Sequence, residues 1–150
     1  MTRQTDTLFT FFNEIGIISQ LATSMFEQQL PHELTISQFG VLNWFVRVDA
    51  RATPSRLARA FQVTGGAMTN TLKKLESKGF IEVRPDEKSG RQKRVTLTKS
   101  GRKARDESIA AVGPLLAELA EAFPATGLER QVKQLSKVRE YLDDYRDRES

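Results

Sequence analysis

The segment from Thr53 to Thr98 places two short helix patterns directly before a strand pattern, and this succession limits the fold more than any other feature of the chain. Thr53 suits the N-cap of the first helix, and Pro54 suits its first helical position. Thr64 is placed to cap the second helix, and Gly79 is placed to end it. Because only a few residues separate the two helices, the pattern predicts a helix-turn-helix.

The residues after the second helix alternate between apolar and charged, which predicts a β-hairpin. Ile81 and Val83 share one face of the first strand, and Pro85 closes it. Residues 86–90 are expected to form the turn, and residues 93–97 are expected to return as the second strand. A helix-turn-helix followed by a hairpin with a basic tip is the plan of a winged helix-turn-helix.

Amphipathic helices are predicted before this segment. The first spans Asp6 to Leu30, and Thr35 and Gln38 have the capping-box spacing that opens the second. The apolar positions of the first helix exceed what one small neighbour would cover. We therefore expect this helix to contact a partner surface.

Two more helices are predicted after the hairpin. Thr98 caps a helix that runs to about Phe123 and is expected to bend or split at the Gly-Pro step 113–114. Thr126 and Glu129 have capping-box spacing for the last helix, which again carries an apolar stripe.

The basic residues are concentrated in the middle of the chain. Residues 51–105 hold fifteen lysines and arginines and four acids, a net charge of +11, while the whole chain carries +4, so the two ends together carry −7. A basic centre between acidic ends favours a polyanion-binding lobe on a separate scaffold. A solvated basic surface would give the same totals.

The composition excludes several classes of protein. The chain has no cysteine, which excludes disulfides, thiolate metal sites and cysteine redox switches. We expect neither an enzyme nor a cofactor, because no nucleophile–base pair, metal cluster or phosphate loop is visible. The single histidine, His32, is interpreted as a loop residue. No stretch approaches the ~20 apolar residues of a membrane-spanning helix, and the N-terminus lacks a signal-peptide pattern, so we expect a cytoplasmic protein without membrane contact.

The second helix of the pair has the residues that a DNA-reading helix needs. One face is apolar, and the other bears small and polar residues that let the backbone and side chains approach a groove. Asn70 can pair bidentately with adenine, and Lys73 can reach a guanine edge or a phosphate. The predicted DNA contacts from the two helices are Thr53, Ser55, Thr64, Gly66, Thr69, Asn70, Lys73 and Lys74. The alternative for Thr53 and Ser55 is a cap and a first-turn polar residue.

The hairpin is expected to add contacts to the DNA backbone, and a tip arginine can enter the minor groove. The predicted wing contacts are Lys88, Arg91, Lys93 and Arg94. The fold class is therefore mainly α (α+β), a winged helix-turn-helix with a two-stranded wing, flanked by N- and C-terminal dimerisation helices. We expect the dimerisation helices at residues 1–33 and 101–150, and the DNA-binding lobe at residues 34–100.

These motifs resemble the MarR family of bacterial regulators over nearly the whole chain. The most specific runs are GAMTNTLKKLESKGFIEV, residues 66–83, and RVTLTKSG, residues 94–101. The resemblance implies a homodimer formed by the first and the last two helices, bound to a pseudo-palindromic operator in double-stranded DNA. It also implies, as in many members, release from DNA by a small, often aromatic, acid.

The chain departs from the family pattern at two positions. Family members often carry an aspartate near the wing tip, whereas Ser89 stands there in this chain. An aspartate that would hold the side chain of Arg91 in place is then missing, unless Asp86 or Glu87 replaces it. Asn70 stands where many members have arginine, which implies a different base preference.

The resemblance implies that a small aromatic or phenolic effector would bind between the dimer helices and the DNA-binding lobe. The candidate effector residues are Phe12, Phe39, Trp44 and Arg47, with Trp44 also interpreted as a core residue. The leading hypothesis is a homodimeric repressor. The alternative is a winged-helix module that binds a protein and does not read DNA. The free polar face of the helix that follows Thr64 argues against this alternative.

Overall fold

The computed structural model describes the backbone of residues 1–150 and every side chain except that of Ser89. In chain order its elements are α1 (Arg3–Gln29), α2 (Ile36–Arg47), α3 (Pro54–Ala60), α4 (Gly65–Ser77), β1 (Ile81–Asp86), β2 (Ser89–Leu97), α5 (Lys99–Ala122) and α6 (Ala125–Glu149). The described residues form a mainly helical fold with a two-stranded antiparallel wing between α4 and α5. The predicted fold class is confirmed.

Side-chain caps begin the helices of the middle lobe at the predicted residues. Thr35 Oγ1 accepts a hydrogen bond from the Gln38 N–H, and the Gln38 side chain accepts one from the Thr35 N–H, so both halves of the capping box are present. Thr53 and Thr64 each accept a hydrogen bond from the backbone N–H three residues further on. These caps satisfy donors that a first helical turn leaves without a partner, and they fix where α2, α3 and α4 begin.

One apolar core holds the helix-turn-helix and the hairpin together. Its buried residues are Leu30, Leu34, Val41, Leu42, Phe45, Ala52, Leu57, Ala58, Met68, Leu72, Leu75, Phe80, Ile81, Val95 and Ala104. Burying one leucine-sized side chain stabilises a protein by about 1.5–3 kcal/mol. Since α3 has only two turns, this packing rather than helix propensity keeps it helical.

The end of α4 directs the chain into the hairpin. Gly79 has a φ of +76°, a conformation that glycine adopts without a Cβ penalty. The Phe80 N–H donates to the Leu75 carbonyl at 3.0 Å, and the Gly79 N–H donates to the Glu76 carbonyl at 2.9 Å. These two hydrogen bonds form the predicted Schellman motif.

The hairpin is longer, and its turn tighter, than the sequence predicted. β1 continues through Pro85 to Asp86, and the turn is confined to residues 87–88 because Asp86 pairs with Ser89. Proline is tolerated in β1 because a two-stranded sheet has only edge strands. A register shift next to Pro85 absorbs the additional residues of β2 and leaves Pro85 opposite Lys93.

α5 is one continuous helix from Lys99 to Ala122, so the split considered at residues 113–114 does not occur. Pro114 lies inside the helix and has no N–H to donate to the preceding turn. The boundary between two compact units, Met1–Val112 and Gly113–Ser150, falls at this step. The predicted division at residue 100 concerns dimerisation, and it remains a prediction.

α6 begins earlier than predicted. It starts at Ala125 after Pro124, with no side-chain hydrogen bond at the cap, so the predicted capping box at Thr126 and Glu129 is wrong. Proline fixes φ, here at −59°, and the chain enters the helix directly after it, which places Thr126 inside the first turn. Among the described residues, no single helix is long and apolar enough to cross a membrane, and α5 and α6 meet that test only when they are taken as a pair.

Candidate nucleic-acid interface

α4 buries one face and exposes a polar one. Met68, Leu72 and Leu75 are each at most 4% exposed within the core. At 100° per residue the polar positions turn to the opposite side, and the exposed ones are Gly66, Thr69, Asn70, Lys73 and Lys74. In the described part of the chain, no hydrogen bond or ion pair occupies the side chains of the last four. The apolar face of α4 thus anchors the helix in the core, and its polar face presents hydrogen-bond donors and acceptors to the solvent.

The other hydroxyl groups at α4 are occupied by its own backbone. Thr71 Oγ1 donates to the Ala67 carbonyl at 3.2 Å, and Ser77 Oγ donates to the Lys73 carbonyl at 3.0 Å. Thr64 Oγ1 accepts from the Ala67 N–H at 3.1 Å. Within α4, Thr69 therefore retains a hydroxyl for a base or a phosphate, whereas Thr64 acts first as the helix cap.

Thr53 and Ser55 lie at the start of α3. Thr53 Oγ1 accepts from the Arg56 N–H at 3.3 Å and lies 3.3 Å from Ser55 Oγ. Thr53 is half-buried, whereas Ser55 is exposed. The cap accounts for Thr53, and a phosphate contact by either residue remains a prediction.

The predicted wing contacts are exposed in the structure. They are Lys88, Arg91, Lys93 and Arg94, and within the described chain none of their side chains has a hydrogen bond or ion pair. A lysine or arginine that lacks an internal partner remains available to a phosphate.

Arg84 is a basic wing residue that the sequence prediction omitted. The strand register places Arg84 directly opposite Arg94, and like charges at such a position destabilise a strand pair. Glu82 Oε2 lies 3.3 Å from Arg84 Nη2 and offsets part of this repulsion. A polyanion bound to the wing would offset the rest. The alternation of β1 places Arg84 on the face opposite to Val83, so the sequence could have identified it as exposed. Its position opposite Arg94 depends on the register shift and could not be read from the sequence.

The wing tip lacks an acidic brace on Arg91 among the described side chains. Asp86 Oδ1 accepts from the Lys88 N–H at 3.0 Å and so closes the turn. Neither Asp86 nor Glu87 pairs with Arg91 in the described part of the chain. The side chain of Ser89, which stands at the family's acid position, lies outside the described residues.

The four predicted effector residues lie on α1 and α2. Phe12 is exposed on α1, and Arg47 is exposed at the end of α2. Trp44 packs edge-on against Phe61 with ring centroids 5.4 Å apart, and Phe39 also packs against the core. The effector pocket remains a prediction. The described residues contain no group of three or more histidine, cysteine or acidic side chains that could hold a metal ion.

α1 and α6 each expose apolar side chains that a folded protein would ordinarily cover. Within these two helices, all of whose residues are described, none is buried. The exposed large apolar residues are Leu8, Phe9, Phe12, Ile17, Ile18, Leu21 and Met25 on α1, and Leu128, Val132, Leu135, Tyr141, Leu142 and Tyr145 on α6. Apolar surface of this extent marks an interaction site.

Comparison with known proteins identifies a family model and several solved structures. A model described as "MarR family" matches residues 32–92, which contain the helix-turn-helix and most of the wing. No curated protein matches the chain.

Three solved structures illustrate the similarity. The apo form of wild-type MarR from E. coli is 30% identical, with a TM-score of 0.69, and the alignment covers 84% of this chain and 94% of that one. A mutant of E. coli MarR complexed with operator DNA is 28% identical, with a TM-score of 0.78 and coverage of 91% and 99%. The transcriptional regulator BldR from Sulfolobus solfataricus is 24% identical, with a TM-score of 0.81 and coverage of 94% and 99%, which shows a shared fold.

Proposed function

The chain belongs to the MarR family of transcriptional regulators, and from that premise we propose that it is a homodimeric repressor that binds a pseudo-palindromic operator in double-stranded DNA. The observation that carries the proposal is the outward polar face of α4, whose residues Thr69, Asn70 and Lys73 are exposed and unoccupied in the described chain. α4 is then the recognition helix, with that face in the major groove.

The surroundings of α4 support the same proposal. Net charge over residues 51–105 is +11, and the wing presents its basic side chains without internal partners among the described residues. The E. coli relative with 28% identity was crystallised with operator DNA. A regulator that acts on the chromosome works in the cytoplasm. Membership of this family makes the chain a transcription regulator and not an enzyme.

We expect the purified protein to be a dimer, with twice the mass of the 17.0 kDa chain, because α1 and α6 expose apolar faces. Val132→Glu on α6 should shift the measured mass towards the monomer. Val132 is 60% exposed in the single chain, and in the proposed dimer the substitution would bury an unpaired charge at the interface. Light scattering after gel filtration measures this mass. Val63→Glu is the matched control, because Val63 is an exposed valine of the helix-turn-helix, and it should leave the dimer intact. A wild-type mass of one chain at tens of micromolar would contradict the homodimer.

Asn70→Ala is expected to remove the preference for one base pair in each half-site. A bidentate contact between asparagine and adenine contributes about 1–3 kcal/mol of discrimination, a factor of about 5–150 in relative affinity. Competition among operators that differ at one position measures it. Lys74→Ala serves as the control, because removing a lysine that neutralises a phosphate should weaken all operators alike. An unchanged preference in Asn70→Ala would remove this residue from base readout.

The second candidate is a winged-helix module that binds a protein. Gel shifts with chromosomal fragments separate the two functions, because a sequence-specific repressor must bind some fragment much more tightly than random DNA. If no fragment outcompetes random DNA, the protein-binding module becomes the better account.

We also propose that a small aromatic acid releases the DNA, with Phe12, Phe39, Trp44 and Arg47 as candidate contacts. Trp44 is the only tryptophan of the chain, so its fluorescence during a benzoate titration tests this pocket.

A further inference from the structure

A carboxylate on the recognition helix reaches the backbone of the wing. Glu76 lies in the last turns of α4, and its Oε2 accepts a hydrogen bond from the Val83 N–H of β1 at 3.1 Å. The side chain therefore adds a polar link between two elements that the apolar core already packs together.

The Val83 N–H has no acceptor on the neighbouring strand. Val83 is paired with Val95 across the hairpin, and its side chain packs against the core. Along an antiparallel pair, residues alternate between those that bond to the neighbouring strand and those whose N–H points outward. The N–H of Val83 points outward, at the free edge of β1, where a backbone donor otherwise lacks a protein acceptor. Glu76 supplies that acceptor.

The dipole of α4 does not favour an acid at this position. Glu76 lies towards the C-terminal end of α4, where the helix dipole disfavours negative charge. The net charge of +11 over residues 51–105 would favour an acid anywhere on this lobe and does not explain this particular position. The hydrogen bond to Val83 is the observed interaction that favours an acceptor here.

Two further hydrogen bonds hold the hairpin at its base, away from Glu76. At the base of the hairpin, the Thr98 N–H donates to the Phe80 carbonyl at 3.1 Å, and Thr98 Oγ1 donates to the Gly79 carbonyl at 2.7 Å. Glu76 ties β1 three residues beyond Phe80, nearer to the wing tip. Ile81 and Val95 pack the base of the hairpin into the core. The tie from Glu76 adds a directed hydrogen bond that limits how far the hairpin can tilt about this packed base.

We propose that Glu76 is a positioning residue that sets the angle of the wing relative to the recognition helix. The proposal rests on the proposed function, because the wing and α4 must reach their grooves together. Glu76 itself contacts no DNA in this account. It acts through Val83, by keeping the basic wing residues in register with the face of α4.

The test compares Glu76→Gln with Glu76→Ala. Both variants lose the same charge, but only glutamine keeps an oxygen that can accept from the Val83 N–H. We expect Glu76→Ala to bind the operator about tenfold more weakly than Glu76→Gln. Its plot of log affinity against log salt concentration should be shallower by about 0.9 for each phosphate that the wing no longer neutralises. The preferred bases read by α4 should stay the same.

Glu82 provides the matched control. It is an exposed acid of the same lobe whose carboxylate pairs with the side chain of Arg84. Glu82→Gln and Glu82→Ala should therefore bind the operator equally. Equal affinities and salt slopes for Glu76→Gln and Glu76→Ala would overturn the proposal.

Amide hydrogen exchange at Val83 tests the proposal without DNA. The amide should be protected in the wild type and in Glu76→Gln and should exchange at least tenfold faster in Glu76→Ala. The thermal unfolding midpoint of each variant checks that the fold is intact. If the wild type binds no specific DNA, the proposed function fails, and the exchange measurement still decides whether Glu76 holds β1. If the wild type binds and exchange at Val83 is the same in both variants, only the role of Glu76 is overturned.

Discussion

Gly101→Ala is expected to lower the free energy of unfolding by about 2 kcal/mol or more. A Cβ at Gly101 would lie 2.0 Å from the Phe80 carbonyl oxygen and 2.8 Å from Leu97 Cδ1. The oxygen cannot move aside easily, because it also accepts a hydrogen bond from the Thr98 N–H. Overpacking a core costs typically about 1–3 kcal/mol, and more against backbone, while alanine recovers about 1 kcal/mol through its helix propensity. Urea denaturation followed by circular dichroism measures the destabilisation.

Gly65→Ala is the matched control for this substitution. Gly65 also lies in a helix, α4, but an added Cβ would meet nothing within 4 Å. Its free energy of unfolding should stay the same or rise by up to about 1 kcal/mol, the gain in helix propensity. If Gly101→Ala is as stable as the wild type, then α5 does not approach Phe80 as closely as described.

Operator affinity is expected to fall about 10³- to 10⁵-fold between 50 and 200 mM salt, for about six to ten neutralised phosphates in the dimer. Arg91→Ala should weaken binding to every sequence. It should also flatten the plot of log affinity against log salt concentration by about 0.9 for each phosphate left without its arginine, or about 1.8 per dimer. Arg91 has this effect because it is exposed near the wing tip and has no internal partner among the described residues. Fluorescence anisotropy over a salt series measures both quantities.

Lys99→Ala is the control for the removal of positive charge. Lys99 is an exposed lysine at the first residue of α5, outside the proposed contact surface. Its removal should leave the salt slope unchanged. A flat salt response of the wild type would contradict the proposed interface with phosphates.

Local sequence signals predicted much of the fold because their physics acts over a few residues. The capping box of Thr35 and Gln38 and the caps at Thr53 and Thr64 depend only on the next helical turn. The Schellman motif at Gly79 similarly depends on one glycine and the apolar residue after it. The outward polar face of α4 followed from the spacing of the residues that face the core.

Features that depend on pairing between distant residues were not predictable in the same way. The register shift beside Pro85, which sets Arg84 opposite Arg94, follows from how β2 fits against β1 rather than from either strand alone. The bond from Glu76 to Val83 likewise requires the folded position of the hairpin. The capping box expected at Thr126 is wrong because the N-cap of α6 is Pro124, two residues earlier, so that the helix already begins at Ala125.

Selection of bound sequences from random double-stranded DNA tests the central claim most directly. A dimer that presents two copies of α4 to successive major grooves should enrich an inverted repeat whose half-sites lie about one helical turn, ~34 Å, apart. Substitution at Asn70 should then change one position in each half-site. Recovery of no sequence above the random background, or of a single unrepeated half-site, would contradict a homodimeric repressor that reads DNA through α4.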